Sequence, residues 1–597
     1  MNIKDIINIK TGGQWLVSPT AEEKIFCREL FSDEHKEIES MILNFAGEEI
    51  FPNIQKIEKL DEEFSRSIMN KMGSLGLIGV DTPEEYGGTE LDKITACIVT
   101  EGLSFGGSSS FGCTFGVQTG IGSLGIVFFG TDEQKTKYLP KLISGEWIAA
   151  YGLTEPASGS DALSAKTTAT LSEDGKHYIL NGEKQFISNG GWADVYTILA
   201  QVDGNQFSGF IVDRDTVGLS IGPEEKKLGM KGSSTTSLKF TDAKVPIENL
   251  LHKVGKGAVI AFNALNIGRY KLGAASVGGS KLAIKVTMDY ALDRRQFGQP
   301  IARFDSIIGK IADITVQVYV ADTMLYRSVG MIQDAINDLD KSDPDYYIKM
   351  GKTMERFAVE ASMSKIYGSE TSSMVVDNCL QIFGGYGFIE EYPMAMPYRD
   401  DRINQIWEGT NEINRAIITG YMMKKILMEE ISLRGHLKNL DHFLESNFEL
   451  DQAKDQLYKE KHALESAKML TSLIFQEALC AFGQDLKHEQ QLSENLADML
   501  TNIFTSESVI ARVQQTSSDD QKSIMALNIA KIHVAESLLK IKTISSICLN
   551  KIFIKSPVKD LKKLVNQLTS KMVLETDIIT YKQLLGDYMF NQKEYPF

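Results

Sequence analysis

The residue in this chain best placed to move a proton is Glu408. It lies in the stretch Tyr398 to Arg415, YRDDRINQIWEGTNEINR, where Ile403, Ile406 and Trp407 precede it and Gly409 and Thr410 follow at once. An apolar setting disfavours the ionised carboxylate, so burial of Glu408 raises its pKa toward neutrality, where it can take a weakly acidic proton. The same acid can equally cap the next helix or pair with Arg402 or Arg415, because structural ion pairs also perturb carboxylates. From these residues alone both readings stay open.

Other reactive side chains form no recognisable set. The six cysteines, Cys27, Cys97, Cys113, Cys379, Cys480 and Cys548, are scattered, with no pair spaced as a metal or redox motif, so reduced thiols and no metal site are expected. A net charge of -16 and a pI near 5.2 argue against general nucleic-acid or anionic-membrane binding. The opening residues MNIKDIINIKTGGQWLVSP carry neither a secretory nor an import pattern, and no apolar run approaches the ~18 residues of a membrane span. A soluble protein of the cytoplasm is the expectation.

The elements that must position Glu408 follow from periodicity. Residues 20–147 read as helical, with EEKIFCRELFSDEHKEIESMILNFA placing Ile25, Leu30 and Ile38 among charges. Pro83 and Gly87-Gly88 interrupt that pattern. The run GGSSSFGCTFGVQTGIGSLG holds Phe111, Phe115, Val117 and Ile121, which suits closely packed helices or a helix lining a ligand channel better than a linker. Over 148–254 the segments KTTATL, KHYILNG, KQFISNG, DVYTILAQV, FSGFIVD and SLKFTDAKV are short, β-branched and bounded by turn residues, an antiparallel β domain. Helical spacing returns over 255–430. In 431–597 only three of the 49 glycines and two of the 13 prolines remain, while Leu527, Ala530, Val534, Leu538 and Ile541 recur at helical spacing, so a further helical domain is expected. Residues 364–370 and 530–536 echo one another faintly, as ordinary helix composition or as a duplication. The fold class is α+β, mainly α.

Helices, a β domain, helices again and a carboxylate in IWEGT resemble the acyl-CoA dehydrogenase family over about Thr20 to Met428. YGLTEPASGSD (151–161), NGEKQFISNGGWAD (181–194), ALDRRQFGQPI (291–301) and QIFGGYGF (381–388) match family segments in order and spacing. The resemblance implies an FAD enzyme. It implies cofactor contacts at Tyr151, Leu153, Thr154, Gly159 and Ser160, whose loop has amides and hydroxyls free to donate and a glycine that permits close approach. Phe186, Ile187 and Ser188 fall where the family packs a strand on the isoalloxazine ring. Arg294 with Gln296, and Gln381 with Gly384 and Gly385, match positions at the diphosphate and adenosine end, partly reached from a second subunit. The chain departs from the pattern at Asp305 and Glu412, two acids unsuited to a diphosphate, so Thr410 and Asn411 are named there instead.

Glu408 then matches the family's base. In isovaleryl-type relatives the base comes from the residue before the arginine of NIGRYKLGA, here Gly268, so that alternative position is vacant. Ser160, Arg269 and Gly409 are expected near the substrate, and Gly120 and Gly122 are expected to leave an acyl channel deep. The implied reaction removes an α proton to Glu408 and a β hydride to the flavin, giving a trans-2-enoyl-CoA, with the thioester oxygen held by a ribityl hydroxyl and the Glu408 N–H. The extra helical domain is most like the very-long-chain branch, which implies a homodimer, a long-chain acyl-CoA and an electron-transferring flavoprotein as acceptor. The branch's membrane-attaching segment corresponds here to LRGHLKNLDHFLESNFELDQAKDQLYKEKH, acidic on balance, so membrane attachment is not expected. An acyl-CoA oxidase and a dehydrogenase-derived scaffold are the alternative functions.

Overall fold

A computed structural model describes residues 11–445, 455–558 and 560–597. Its longest helices bury residues on nearly every face, which requires that they be enclosed by others. Gly257–Asp293, Asp305–Asn337 and Ala358–Phe383 pack side by side with Asn411–Leu427 as the centre of a bundle. Small residues allow the crossings. A Cβ on Gly368 would lie 3.0 Å from the Gly273 Cα, and one on Gly278 would lie 2.1 Å from the Glu101 carbonyl oxygen in the neighbouring helix Lys93–Ser104.

On the N-terminal side, Asp33–Phe45, Glu62–Ser74, Lys93–Ser104, Ser109–Gln118 and Asp132–Ile143 each begin on a side chain that accepts from a first-turn amide: Ser32, Asp61, Asp92, Ser108 and Thr131. Between these helices and the bundle in chain order comes a β-sheet in which Val195–Val202 is central and buried throughout. His177–Ser188 pairs antiparallel with Thr168–Leu171 and with Thr235–Pro246, and Val195–Val202 pairs antiparallel with Gln206–Asp213. The sheet is mixed rather than purely antiparallel, because Ala149–Gly152 and Thr168–Leu171 both run parallel to Val195–Val202. Neither parallel pair is consecutive in the chain: His177–Ser188 intervenes between each short strand and Val195–Val202, since a hairpin cannot join parallel neighbours.

The last part of the chain forms Tyr458–Phe482, Gln490–Gln515, Gln521–Lys555, Leu561–Ser570 and Ile578–Gln592. Buried charges join it to the rest. Arg512 donates to Asp322 at 2.9 Å, Asp322 also accepts from Arg28 and Lys281, and Glu507 accepts from Arg327 at 3.2 Å and Lys468 at 2.8 Å. The two faintly echoing segments lie against each other, with the Tyr367 and His533 rings edge-on at 6.3 Å. The segment compared above with a membrane-attaching one begins as the short helices Leu433–Leu437 and Leu440–Glu445; its part 446–454 lies outside the described residues. Among the described residues no helix is long and apolar enough to cross a membrane.

Candidate active site

A cavity of about 1150 Å³ opens where the strands Ala149–Gly152 and His177–Ser188 meet the helices Ser109–Gln118 and Gly257–Asp293 and the turn that carries Glu408. The turn is unusual. Glu408 and Gly409 both have positive φ, 56° and 80°, and a bulky residue seldom adopts that conformation unless its surroundings enforce it. Three groups do so. Thr410 caps the next helix by accepting from the Ile413 amide at 3.3 Å, Asn414 Nδ2 donates to the Gly409 and Thr410 carbonyls at 2.7 and 3.1 Å, and Arg269 Nε donates to the Glu408 carbonyl at 3.4 Å. The turn thereby aims the carboxylate into the cavity.

Glu408 Oε2 is shut off from solvent and has no hydrogen-bond partner. Burial raises its pKa to about 7, outweighing the lowering by the positive charges of Arg269 and Lys365. The phenol of Tyr151 and the indole N–H of Trp407, which also line the cavity, are likewise buried without partners. Such groups are rare in folded proteins and point to a bound group that completes them. Across the cavity, the pairing of His177–Ser188 shifts register between Lys184 and Ile187, and Phe186 takes φ 59° at that irregularity. A bulge re-aims side chains, and here it leaves the Phe186 ring facing the cavity.

The loop 154–161 is fixed from behind by an ion pair that sequence reading did not single out. Lys184, fully buried, donates to Glu155 at 2.6 Å, and Glu155 also accepts from the Thr167 amide at 3.0 Å. Ser158 Oγ donates to the Asp161 carbonyl at 2.6 Å. A Cβ on Gly159 would meet nothing within 4 Å, so its backbone stays open to a ligand. An acid in the signature TEPASGSD and a lysine two residues before Phe186 were the available signals, but neither shows its partner in sequence.

The structure gathers Tyr151, Leu153, Thr154, Gly159, Ser160, Phe186, Ile187, Ser188, Arg269, Glu408, Gly409 and Thr410 around this one cavity. Asn411 is not among its lining residues: it is buried behind the turn, where its amide accepts from Lys365 and donates to Ser369 and Glu370. Gly120 and Gly122 are also elsewhere. A Cβ on Gly122 would lie 2.8 Å from the Ala149 Cβ and 2.9 Å from the Val117 carbonyl oxygen, and one on Gly120 would lie 2.6 Å from the Gly116 oxygen. Those glycines serve close packing, and the small residues that line the cavity from the two flanking helices include Gly112, Gly116, Ala275 and Gly279. Arg294, Gln296, Gln381, Gly384 and Gly385 lie outside the cavity of this chain, beside the exposed rings of Phe297 and Phe388. Arg294 stacks over Tyr386 at 5.3 Å. Of the two acids that break the expected pattern, Asp305 accepts from Gln583 of the last helix at 2.7 Å and Glu412 lies in the first turn after Thr410.

Comparison with known proteins gives a consistent picture. The models for the N-terminal, middle and C-terminal domains of acyl-CoA dehydrogenase match residues 32–146, 150–243 and 255–423, and a further acyl-CoA dehydrogenase C-terminal domain model matches 466–554. A probable acyl-CoA dehydrogenase of Bacillus subtilis is 42% identical over 541 residues, covering 90% of this chain and 91% of that protein. The very long-chain specific acyl-CoA dehydrogenase of Bos taurus is 35% identical, over 77% of this chain and 71% of its own. The crystal structure of an acyl-CoA dehydrogenase complexed with FAD from Bacillus anthracis superposes with a TM-score of 0.94 at 38% identity, covering 98% of this chain and all of that one.

Proposed function

The chain belongs to the acyl-CoA dehydrogenase family, and we propose that it oxidises a long-chain acyl-CoA to the trans-2-enoyl-CoA with Glu408 as the base. The observation that carries this is a carboxylate with an unpartnered oxygen, held near neutrality in its proton affinity, at the wall of a cavity large enough for a cofactor and a thioester. FAD fits the donor set: the open backbone at Gly159, the hydroxyls of Thr154 and Ser160, and the unpartnered Trp407 N–H surround the cavity. When bound, FAD supplies the hydride acceptor.

The chain's own residues handle the proton and the developing charge. Glu408 Oε2 takes the α proton, and its raised pKa makes it a stronger base than an exposed glutamate while leaving it ionised above neutrality. The Glu408 N–H faces the thioester oxygen as that oxygen gains charge, and Arg269 keeps the turn in place through the Glu408 carbonyl.

The acyl chain lies along Gly257–Asp293. The cavity is lined by that helix from Gly268 through Val286, about 27 Å at the usual helical rise, with Leu272, Leu282 and Val286 giving it an apolar wall and Ala275 and Gly279 leaving it room. That length supports a long-chain substrate. The exposed face bearing Arg294, Gln381, Phe297 and Phe388 supports a homodimer in which each copy completes the other's cofactor site. The acceptor is an electron-transferring flavoprotein. The protein works in the cytoplasm, in keeping with six unpaired cysteines, one of them exposed.

Turnover of C4 to C18 acyl-CoAs, with electron-transferring flavoprotein or with air as the only acceptor, tests the assignment. The reading expects the highest kcat/KM at C14 or longer and negligible peroxide. A C4 to C6 optimum overturns the long-chain assignment, and peroxide formation at the turnover rate overturns the acceptor.

A further inference from the structure

Most buried lysines in this protein touch a carboxylate; Lys425, which donates to the Gly12 and Arg356 carbonyls, and Lys135, which lies over Tyr347, are exceptions away from the cavity. Lys184 meets Glu155 at 2.6 Å, Lys271 meets Asp81 at 2.7 Å, and Lys468 meets Glu507 at 2.8 Å. Such contacts offset the cost of taking an ammonium out of water. Lys365 differs. It is fully buried in Ala358–Phe383, and its Nζ donates at 2.7 Å to a neutral acceptor, the side-chain oxygen of Asn411.

Asn411 stands three residues after Glu408, at the first position of Asn411–Leu427. Its amide nitrogen is engaged as well, donating to Ser369 Oγ at 3.2 Å and Glu370 at 3.0 Å. The Lys365 ammonium is therefore tethered directly behind the active turn. The charged groups whose fields reach it are Glu408 on the turn, Arg269 from Gly257–Asp293, Glu370 on its own helix and Glu412 on the next. Glu408 in turn feels Arg269 and Lys365, and its charge reaches Tyr151 and Cys113 across the cavity. Burial pulls the lysine's pKa down, and the strongest opposing influence is Glu408. The two buried charges stabilise one another without touching.

We propose that Lys365 is a positioning residue for the base: anchored on Asn411, it holds a cation behind the turn that favours the Glu408 carboxylate over the carboxylic acid while leaving Oε2 free, and so sets the pH range in which Glu408 accepts a proton. The inference rests on Glu408 being the base. A contact pair would occupy the oxygen that must take the proton, whereas a cation held by a neutral tether acts through its field alone.

The test is the pH dependence of Lys365→Met, Lys365→Arg and Asn411→Asp holoenzymes. Two readouts are taken: the acid limb of kcat/KM, and the titration of the Glu408 carboxylic acid band by difference infrared spectroscopy, assigned by its loss in Glu408→Gln. Flavin content and melting temperature report folding. In Lys365→Met both midpoints move up by about one unit or more, and Lys365→Arg returns them close to the wild type. Asn411→Asp places a carboxylate in contact with Lys365, cancels the cation and moves the midpoints the same way; it is nearly isosteric and decides the matter if Lys365→Met does not fold. Unmoved midpoints with activity lowered evenly across pH overturn the proposal and leave Lys365 a structural residue. If Glu408→Gln itself keeps wild-type activity, it is the assignment of the base that fails, whatever Lys365 does.

Discussion

A side chain at position 268 would push the Glu408 carboxylate from its place. A Cβ on Gly268 would lie 2.7 Å from Glu408 Oε2 and 2.9 Å from its carboxyl carbon, so the glycine is the space the carboxylate occupies. Gly268→Ala is expected to keep flavin and fold while lowering kcat by tenfold or more, read by steady-state turnover beside a flavin spectrum. Glu408→Gln is expected to lower kcat by about 10³-fold, within the range for a general base. The pKa of about 7 also predicts the shape of the wild-type profile: kcat/KM falls below neutrality as the base is protonated. The consequence for stability runs with the same sign. Between pH 4.5 and about 7 the folded protein keeps a proton that the unfolded chain releases, so stability falls as pH rises through that window. Above it the ionised Glu408 costs up to about 3 kcal/mol. Glu408→Gln is therefore expected to raise the melting temperature at pH 8, with the difference closing below pH 4.5; a variant less stable than wild type at pH 8 would contradict this.

At the scale of elements, a glycine's role depends on what it faces, Gly116 within the helix Ser109–Gln118 or Gly122 in the turn that follows it. Gly116 lines the cavity, and a Cβ there would meet nothing within 4 Å, whereas Gly122, six residues on, is packed against Ala149. Gly116→Leu is expected to leave the melting temperature near that of the wild type and to shift the acyl-chain optimum shorter, while Gly122→Glu lowers the melting temperature without such a shift. Measured chain-length profiles and thermal scans of the two variants check both halves. The sequence marked VQTGIGSLG as small and apolar, which is as far as periodicity reaches, because it fixes a helix but not the neighbour that each face meets. The β segments and their order were legible from alternation and turn residues. The parallel pairings of Ala149–Gly152 and Thr168–Leu171 were not, since they join strands that are not consecutive in the chain. The apolar approach singled out Glu408 but left a structural acid equally open until the family resemblance chose between them; the positive φ that aims it depends on Arg269 and Asn414, and Lys365 looked like ordinary helix composition because its partner lies 46 residues away.

For the whole molecule, the added helical domain is joined to the catalytic part through shared buried charges. Asp322, 1% exposed, accepts from Arg28 near the start of the chain, Lys281 in the bundle and Arg512 in the added domain, and these cations hold its carboxyl far below the usual range. Asp322→Asn leaves three cations short of an anion and is expected to cost about 3–5 kcal/mol, seen as a lower melting temperature in calorimetry. Separate melting of the two parts in the wild type would contradict so shared a core. What the assembled molecule does is tested most directly by the anaerobic visible spectrum of the purified protein, before and after palmitoyl-CoA, beside Glu408→Gln. A flavin band that bleaches in the wild type and persists in the variant is the predicted result. A protein that binds no flavin after reconstitution, or a variant that bleaches as fast as the wild type, would contradict the account.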